Sequence, residues 1–577
     1  MGHDNDKIPD PKEIEREIGA FLNKRFGGSV RVVSPVVLPQ GASPAKSAGK
    51  KPQFDLKPAE LVSYLDQYII RQDRAKAVLA TKICTHFNRI KHLEAAKEKI
   101  PEIALGVKSN ILMAGPTGVG KTYMIKLIAQ KLGVPFVKGD ATKYSETGYV
   151  GRDVEDLIRD LVREAEGDIE LASHGIVYID EIDKIASSRN LIGADISRTG
   201  VQRALLKPME ETDVTLKSPQ DPVSMMQELE RFQRTGQKER RTINTANILF
   251  IVSGAFGDIT DIIKKRVADQ SMGFGAKLVG EAQRQDLLAQ LRAEDLVAYG
   301  FESEFVGRLP VRTVFEGLGE EDLYAILKNP NNPIILGKKV DFAAYDIAVN
   351  VEDEALRLLA RRAGGENTGA RGLVSAIEEV LLPFETRLPG SGIRHFPVTA
   401  TAVRQPEEIL AAMLEAPESL RWKAVYERIL EGERAHVART IEGDWKQLSL
   451  RHGLTLTQPR IALVAAYFCR NITGIDNAIQ TVKRYHDEAK KIELYFLDQH
   501  DIIVVLEEDA VDFIIEQFIY TKAKFDEVYD KITLDFEHGL KLVRDRTGRN
   551  RFLLGREALV SPEPFLDALI RRELGQS

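Results

Sequence analysis

Apolar residues in the first half of the chain gather into short unbroken runs near residues 110–115, 135–139, 175–180, 248–254 and 311–315. Runs without alternation suit strands buried on both faces of a parallel sheet, because neither face meets water. Between them apolar positions recur every three or four residues, the spacing of helices that cover such a sheet. Residues 54–318 therefore predict a three-layer α/β domain. Across 319–403 helical periodicity dominates around one short strand pair, which predicts a small, mainly helical domain. Residues 404–577 are mostly amphipathic helix, with period-3.6 apolar positions over 409–414 and 463–482, and carry no catalytic signature.

Ahead of these regions, residues 10–26 predict a short amphipathic helix with Asp10 as N-cap, Pro11 in its first turn, and Ile14, Ile18, Phe21 and Leu22 on one face. Residues 27–53 turn Pro-, Gly-, Ala-, Ser- and Lys-rich, the composition of a linker. The expected division is thus 1–53, 54–318, 319–403 and 404–577. One internal echo crosses it: 347–356 and 502–511 share a strand, an acidic turn and a helix start. It reads either as a degenerate second copy of the small domain near 495–577 or as a common supersecondary unit met twice.

Composition narrows the class. With 577 residues, 43% hydrophobic and 29% charged, the chain is ordinary for a soluble protein, with room for about three or four domains. A net charge of −6 gives no global attraction toward nucleic acid. Cys84 and Cys469 are the only cysteines and stand far apart, which argues against a disulfide framework or a cysteine-rich zinc module, so no zinc is expected. No charged-then-apolar leader opens the chain and no apolar run approaches the ~18 residues of a membrane span. A cytoplasmic protein that does not engage membrane is the expectation.

Chemistry enters where the first apolar run ends. Gly115, Pro116, Thr117, Gly118, Val119, Gly120, Lys121 and Thr122 form a complete G-x-x-x-x-G-K-[ST] phosphate loop between a strand and a helix. Glycines let backbone N–H groups close on phosphate, Lys121 reaches the β and γ oxygens, Thr122 offers a hydroxyl to Mg²⁺, and the helix N-terminus favours the negative charge. The third run ends in Asp180 and Glu181. Phosphoryl transfer needs both roles such a pair supplies: Asp180 to hold Mg²⁺ and Glu181 to polarise the attacking water. ATP and Mg²⁺ are the expected substrate and metal.

With these elements in place, residues 54–403 resemble the ClpX type of AAA+ protein unfoldase. Besides the two nucleotide motifs, the chain carries Gly148-Tyr149-Val150-Gly151, similar to the pore loop of such proteins, Glu304-Phe305-Val306-Gly307-Arg308-Leu309-Pro310, similar to their arginine-finger segment, and Thr368-Gly369-Ala370-Arg371-Gly372-Leu373, similar to the sensor-2 motif of their lid. The resemblance implies an AAA+ three-layer domain with a parallel sheet, a small helical lid and, here, a mostly helical C-terminal extension. It implies adenine contact by Ile69 and Ile70, a sensor-1 role for Ser253, an arginine finger at Arg308 acting on a neighbouring subunit, and Arg371 coupling the γ-phosphate to the lid. A finger supplied in trans implies a homo-oligomeric ring, with six subunits as the family expectation. Tyr149 and Val150 would grip a translocating polypeptide, since an aromatic and a β-branched residue on a Gly-flanked loop are costly to expose unless something apolar meets them.

The departures are as informative. No cysteine precedes Cys84, so the family's N-terminal four-cysteine zinc domain has no counterpart; Arg71 stands where the adenine-side motif has glycine; and residues 217–241, ending Lys238-Glu239-Arg240-Arg241, replace a basic pore-entrance loop. Met272-Gly273-Phe274 occupies the place of the tripeptide that docks on a ClpP-type peptidase, with Met instead of an aliphatic residue. The expected function is ATP-dependent unfolding and translocation of polypeptides, with a ClpP-type peptidase as the candidate partner. The rivals are a remodeller of protein complexes acting without a protease and a nucleotide-gated scaffold acting through the C-terminal extension. An aromatic rather than basic pore loop speaks against a nucleic-acid motor.

Overall fold

Five parallel strands form the central sheet in the order β2-β3-β6-β1-β7: β1 (Ile111–Ala114), β2 (Phe136–Asp140), β3 (Ile176–Asp180), β6 (Leu249–Gly254) and β7 (Val311–Val314). These are the five apolar runs. A short antiparallel pair, β4 (Asp213–Thr215) and β5 (Thr242–Asn244), lies outside this sheet. The computed structural model describes residues 54–96, 108–145, 152–186, 196–216, 242–270, 286–366, 368–417, 419–521 and 524–574. The expected helix at 10–26, the linker 27–53, Tyr149, Val150, the 217–241 insertion and Met272, Gly273 and Phe274 lie outside the described residues.

Successive residues of each strand face opposite layers. Ile111, Met113, Ile176, Tyr178, Leu249 and Ile251 join a core under α1 (Pro58–Asp66), α2 (Asp73–Ala96) and α3 (Lys121–Leu132). Leu112, Ala114, Val177, Ile179, Phe250 and Val252 face α4 (Asp156–Glu164), α5 (Ile196–Met209) and α6 (Ser303–Gly307). β1, β3 and β6 are dry on both faces, which is why they carry no polar alternation, while the edge strands β2 and β7 are partly exposed and admit Lys138 and Arg312. Each fully buried Phe or Ile in these layers contributes about 1.5–3 kcal/mol relative to exposure. Phe250, fully buried, would lose about 3–5 kcal/mol on truncation to Ala because its neighbours cannot close the gap.

Beyond the sheet come α7 (Glu320–Lys328), α8 (Pro333–Ala343), β8 (Ala348–Val351), α9 (Asp353–Gly365), α10 (Ala370–Arg387), β9 (His395–Val398), α11 (Ala400–Arg404) and α12 (Pro406–Glu415). They close one core that runs from Leu323 to Trp422, past the boundary expected at 403. Next, α13 (Leu420–Gly443) and α14 (Trp445–His452) lead into α15 (Gln458–Arg470), α16 (Ile475–His500), β10 (Ile503–Leu506), α17 (Glu508–Thr521), α18 (Phe525–Thr547), β11 (Arg551–Leu554), α19 (Arg556–Val560) and α20 (Pro562–Leu574). These share a separate core from Val437 to Leu569. One helix belongs to both: α13 buries Trp422 in the first core and Val437 and Ile441 in the second.

The C-terminal part is tied to what precedes it. Ser63 in α1 donates to Gln447 in α14 at 2.6 Å. The N–H of Ile475, at the start of α16, donates to Asn331 Oδ1 at 3.0 Å. Among the described residues no helix is long and apolar enough to cross a membrane.

Candidate nucleotide site

The site begins where β1 stops. Gly115 leaves the strand at φ 153, and a Cβ there would lie 2.6 Å from the Phe315 carbonyl oxygen, so no side chain fits between β1 and β7. Gly120, at φ 90, caps α3 in the left-handed region that glycine adopts without steric cost. The loop between them therefore turns its backbone toward the N-terminus of α3, the end of a helix that attracts anions. Gly133, at φ 71, ends the same helix with its N–H on Ala129 O.

Lys121 is buried, and its ammonium donates to the carbonyls of Gly115 at 2.6 Å and Pro116 at 2.7 Å. Burial pushes its pKa down to about 8, against the pull of Asp180 and Asp183, which raise it. A buried cation held only by carbonyls of its own loop can exchange them for the oxygens of an anion.

Asp180 sits at the end of β3, between neighbouring strands β2 and β6. Its carboxylate accepts from Ser253 Oγ at 2.6 Å, from Lys138 Nζ at 2.9 Å and from the Glu181 N–H at 3.1 Å. Burial acts to raise its pKa, but the Ser253 and Lys138 hydrogen bonds outweigh it and hold the carboxyl below the usual range. Thr122 Oγ1 lies 3.4 Å from Asp180 Oδ2 and 3.1 Å from the Tyr178 hydroxyl, which is 2.6 Å from Ser253 Oγ. An ionised carboxylate beside a threonine hydroxyl at the mouth of a phosphate loop is a donor set that fits Mg²⁺, a hard cation that also takes ligands from substrate phosphates. Burial pushes the Tyr178 phenol up to about 12, so it remains a neutral hydroxyl.

An open cleft of about 430 Å³ joins these groups to an apolar wall. Tyr68, Ile69, Ile70, Leu318, Ile334 and Val374 line its apolar end; Lys121, Thr122, Asp180, Glu181, Asp183 and Arg371 line its polar end. Glu181 holds a left-handed backbone at φ 56, a conformation that costs a non-glycine residue free energy and recurs at functional sites. The helical domain reaches into the loop itself: the Ala370 N–H, at the start of α10, donates to Gly118 O at 2.9 Å. Gly118 must be glycine for the same reason, since at φ 74 a Cβ would stand 2.1 Å from Thr368 O.

The structure thus brings together Ile69, Ile70, the 115–122 loop, Asp180, Glu181, Ser253 and Arg371, with Ser253 reaching the cleft through Asp180. Arg308 stands apart. It ends α6, pairs with the Glu210 carboxylate, and does not line the cleft of its own chain. Sequence reasoning missed Lys138, Tyr178 and Asp183. The first two face each other in the β2–β3 register, Lys138 on the half-exposed edge strand β2 and Tyr178 in the buried β3; a lysine inside the run 135–139 was the available signal.

Residues 107–312 match the AAA domain family of the Cdc48 subfamily. The ATP-dependent Clp protease ATP-binding subunit ClpX of Treponema denticola is 39% identical to this chain over 329 residues, 56% of this chain and 75% of that protein.

Proposed function

The chain belongs to the ClpX-type AAA+ ATPases, and from that premise we propose that it unfolds proteins by drawing them through the pore of a ring of its own subunits. ATP is the substrate of the cleft. Thr122 and Asp180 would hold Mg²⁺, which would supply charge neutralisation to the triphosphate. Lys121 holds the phosphates, Glu181 polarises the attacking water, Ser253 fixes the Asp180 carboxylate, and the apolar pair Ile69 and Ile70 seats the base. Arg308, turned away from its own cleft, acts on the triphosphate of the next subunit, which makes the ring part of the active site.

One observation carries the mechanical half of the proposal: the hydrogen bond from Ala370 N–H to Gly118 O at 2.9 Å. The start of α10 rests on the phosphate loop, with Arg371 one residue on and lining the same cleft. A change of charge at the γ position is therefore felt by the helical domain directly, through a guanidinium and through the loop backbone. Tyr149 and Val150 would convert that motion into a pull on polypeptide.

The test uses the purified full chain with ATP and fluorescent substrates bearing a panel of tags, with and without a ClpP-type peptidase. Unfolding by the wild type and none by Glu181→Gln supports the reading. Peptide production dependent on added peptidase extends it to a proteolytic partner through Met272-Gly273-Phe274, and unfolding without such coupling favours the stand-alone remodeller. ATP hydrolysis with no unfolding of any substrate overturns it.

A further inference from the structure

The segment after α14 repeats the helical domain element by element. Both run helix, helix, strand, helix, helix, strand, short helix, helix, with the two strands paired in parallel. The agreement extends to single bonds. Ala348 N–H donates to Arg394 O at 2.8 Å and Ile503 N–H to Asn550 O at 2.7 Å; Glu352 N–H donates to Val398 O at 2.9 Å and Glu507 N–H to Leu554 O at 3.0 Å. Left-handed aspartates precede both first strands, Asp346 at φ 60 and Asp501 at φ 52. Both short helices end in the same turn, Gln405 at φ −136, ψ 67 and Ser561 at φ −135, ψ 73.

The copies differ in what covers them. In the first, α13 lies over the outer face of β8–β9 and the adjoining side of α8. Tyr426 meets the His395 ring edge-on at 4.9 Å, Glu433 pairs with Lys339 at 2.6 Å, and Ile429 between them is buried. In the second, the corresponding outer face has no such helix among the described residues. Ile503 is 40% and Leu553 53% exposed.

By register, Ile503 replaces Ala348, Val505 replaces Asn350, Arg551 replaces His395 and Leu553 replaces Pro397. The bare face is thus more apolar than the covered one, the reverse of what contact with water favours. Its charges are also altered. Among the described residues Arg551 has no carboxylate partner; Glu493 on α16 is already engaged, by Lys490 at 2.7 Å and by the Leu506 N–H at 2.8 Å.

We infer that the outer face of β10–β11 is a docking seat for an amphipathic helix of a partner protein, one presenting an aromatic residue at i over Arg551 and an aliphatic residue at i+3 on Ile503, Val505 and Leu553. The spacing is that of Tyr426 and Ile429 on α13. An arginine under an aromatic ring gains cation–π attraction, and a helix laid in an apolar groove is a standard mode of peptide recognition.

The probe is a fluorescent peptide of α13, 24 residues, titrated into the full-length protein. Binding by the wild type, weakened about tenfold or more both by Leu553→Glu in the protein and by Tyr426→Ala in the peptide, supports the seat. Leu553 is exposed, so the variant folds; an unchanged melting curve and ATPase rate establish that, and Ile503→Ser serves as a second, milder lesion. Equal binding of both peptides, or of wild type and variant, overturns it. So does a change in ring assembly on Leu553→Glu, which would mean that a second copy of the chain covers the face.

Discussion

Arg71 Nε donates to Glu316 Oε2 at 2.7 Å, tying the turn behind Ile69 and Ile70 to the chain just before the helical domain. The same guanidinium reaches Asp322 at 2.8 Å, and Gln72 exchanges two 2.8 Å hydrogen bonds with the Glu316 backbone. Arg71 does this from φ 61, where the family motif has glycine. A left-handed non-glycine residue costs about 1–2 kcal/mol, while half-exposed ion pairs contribute about 0–1 kcal/mol each.

The two terms nearly cancel, which separates two substitutions. Arg71→Gly removes strain and tether together and should leave the melting temperature within about 2 °C. Arg71→Ala keeps the strain and loses the tether, and should destabilise by about 1–2 kcal/mol. Denaturant melts of the two variants decide it: identical stabilities would mean that the backbone strain is absent.

ATP binding should take up protons in mildly alkaline solution. In the free site burial holds Lys121 at about 8; triphosphate beside it raises that value. At about pH 8.5 the free lysine is largely neutral and the bound one charged, so binding absorbs a proton and affinity falls as pH rises. Calorimetry in two buffers of different ionisation enthalpy measures the uptake. Proton release, or none, would mean that Lys121 does not meet the phosphates.

Arg308 and Glu181 should fail differently. Glu181→Gln removes the polarising carboxylate within the same chain's cleft and should retain nucleotide while losing turnover by about 10³-fold or more. Arg308→Ala should leave nucleotide affinity of dissociated subunits unchanged, because the residue is absent from its own cleft, and depress turnover only in the assembled ring. Loss of affinity in dissociated Arg308→Ala would place the arginine in cis.

How much of this was legible in the sequence follows from range. β1, β3 and β6 announced themselves because a strand buried on both faces must be apolar throughout, the edge strands β2 and β7 through fewer apolar positions, and the phosphate loop because its spacing is dictated by the ligand. Asp180 and Glu181 stood out as the carboxylates ending an apolar run, and Ser253 entered through the family resemblance. Lys138 and Tyr178 were missed, since their meeting depends on β2 lying beside β3, a pairing that local pattern does not encode. The second helical domain was visible only at 347–356 and 502–511, where a strand constrains both copies. Its flanking helices, back to Gln458, share order but little residue identity, because any amphipathic sequence satisfies a helix of that length.

That copy also contains a buried charge cluster, which sets its response to mutation. Arg460, 1% exposed, donates to Asp512 at 2.9 Å, to Glu508 at 2.6 Å and to the Thr455 carbonyl at 3.0 Å. Burial pushes the Asp512 carboxyl up, with Arg460 opposing it. Removing the cation leaves Asp512 without its ion partner in a dry core, so Arg460→Ala should cost about 3–5 kcal/mol. Arg460→Met with Asp512→Leu fills the space without charge and should recover most of that loss, since a buried pair is worth little against a well-packed apolar replacement. Because Arg460 touches neither the cleft nor the first core, protease resistance of the C-terminal part should fall in Arg460→Ala while nucleotide affinity stays at the wild-type value. A parallel fall in affinity would mean that the second domain holds the nucleotide site in shape through Asn331 and Gln447.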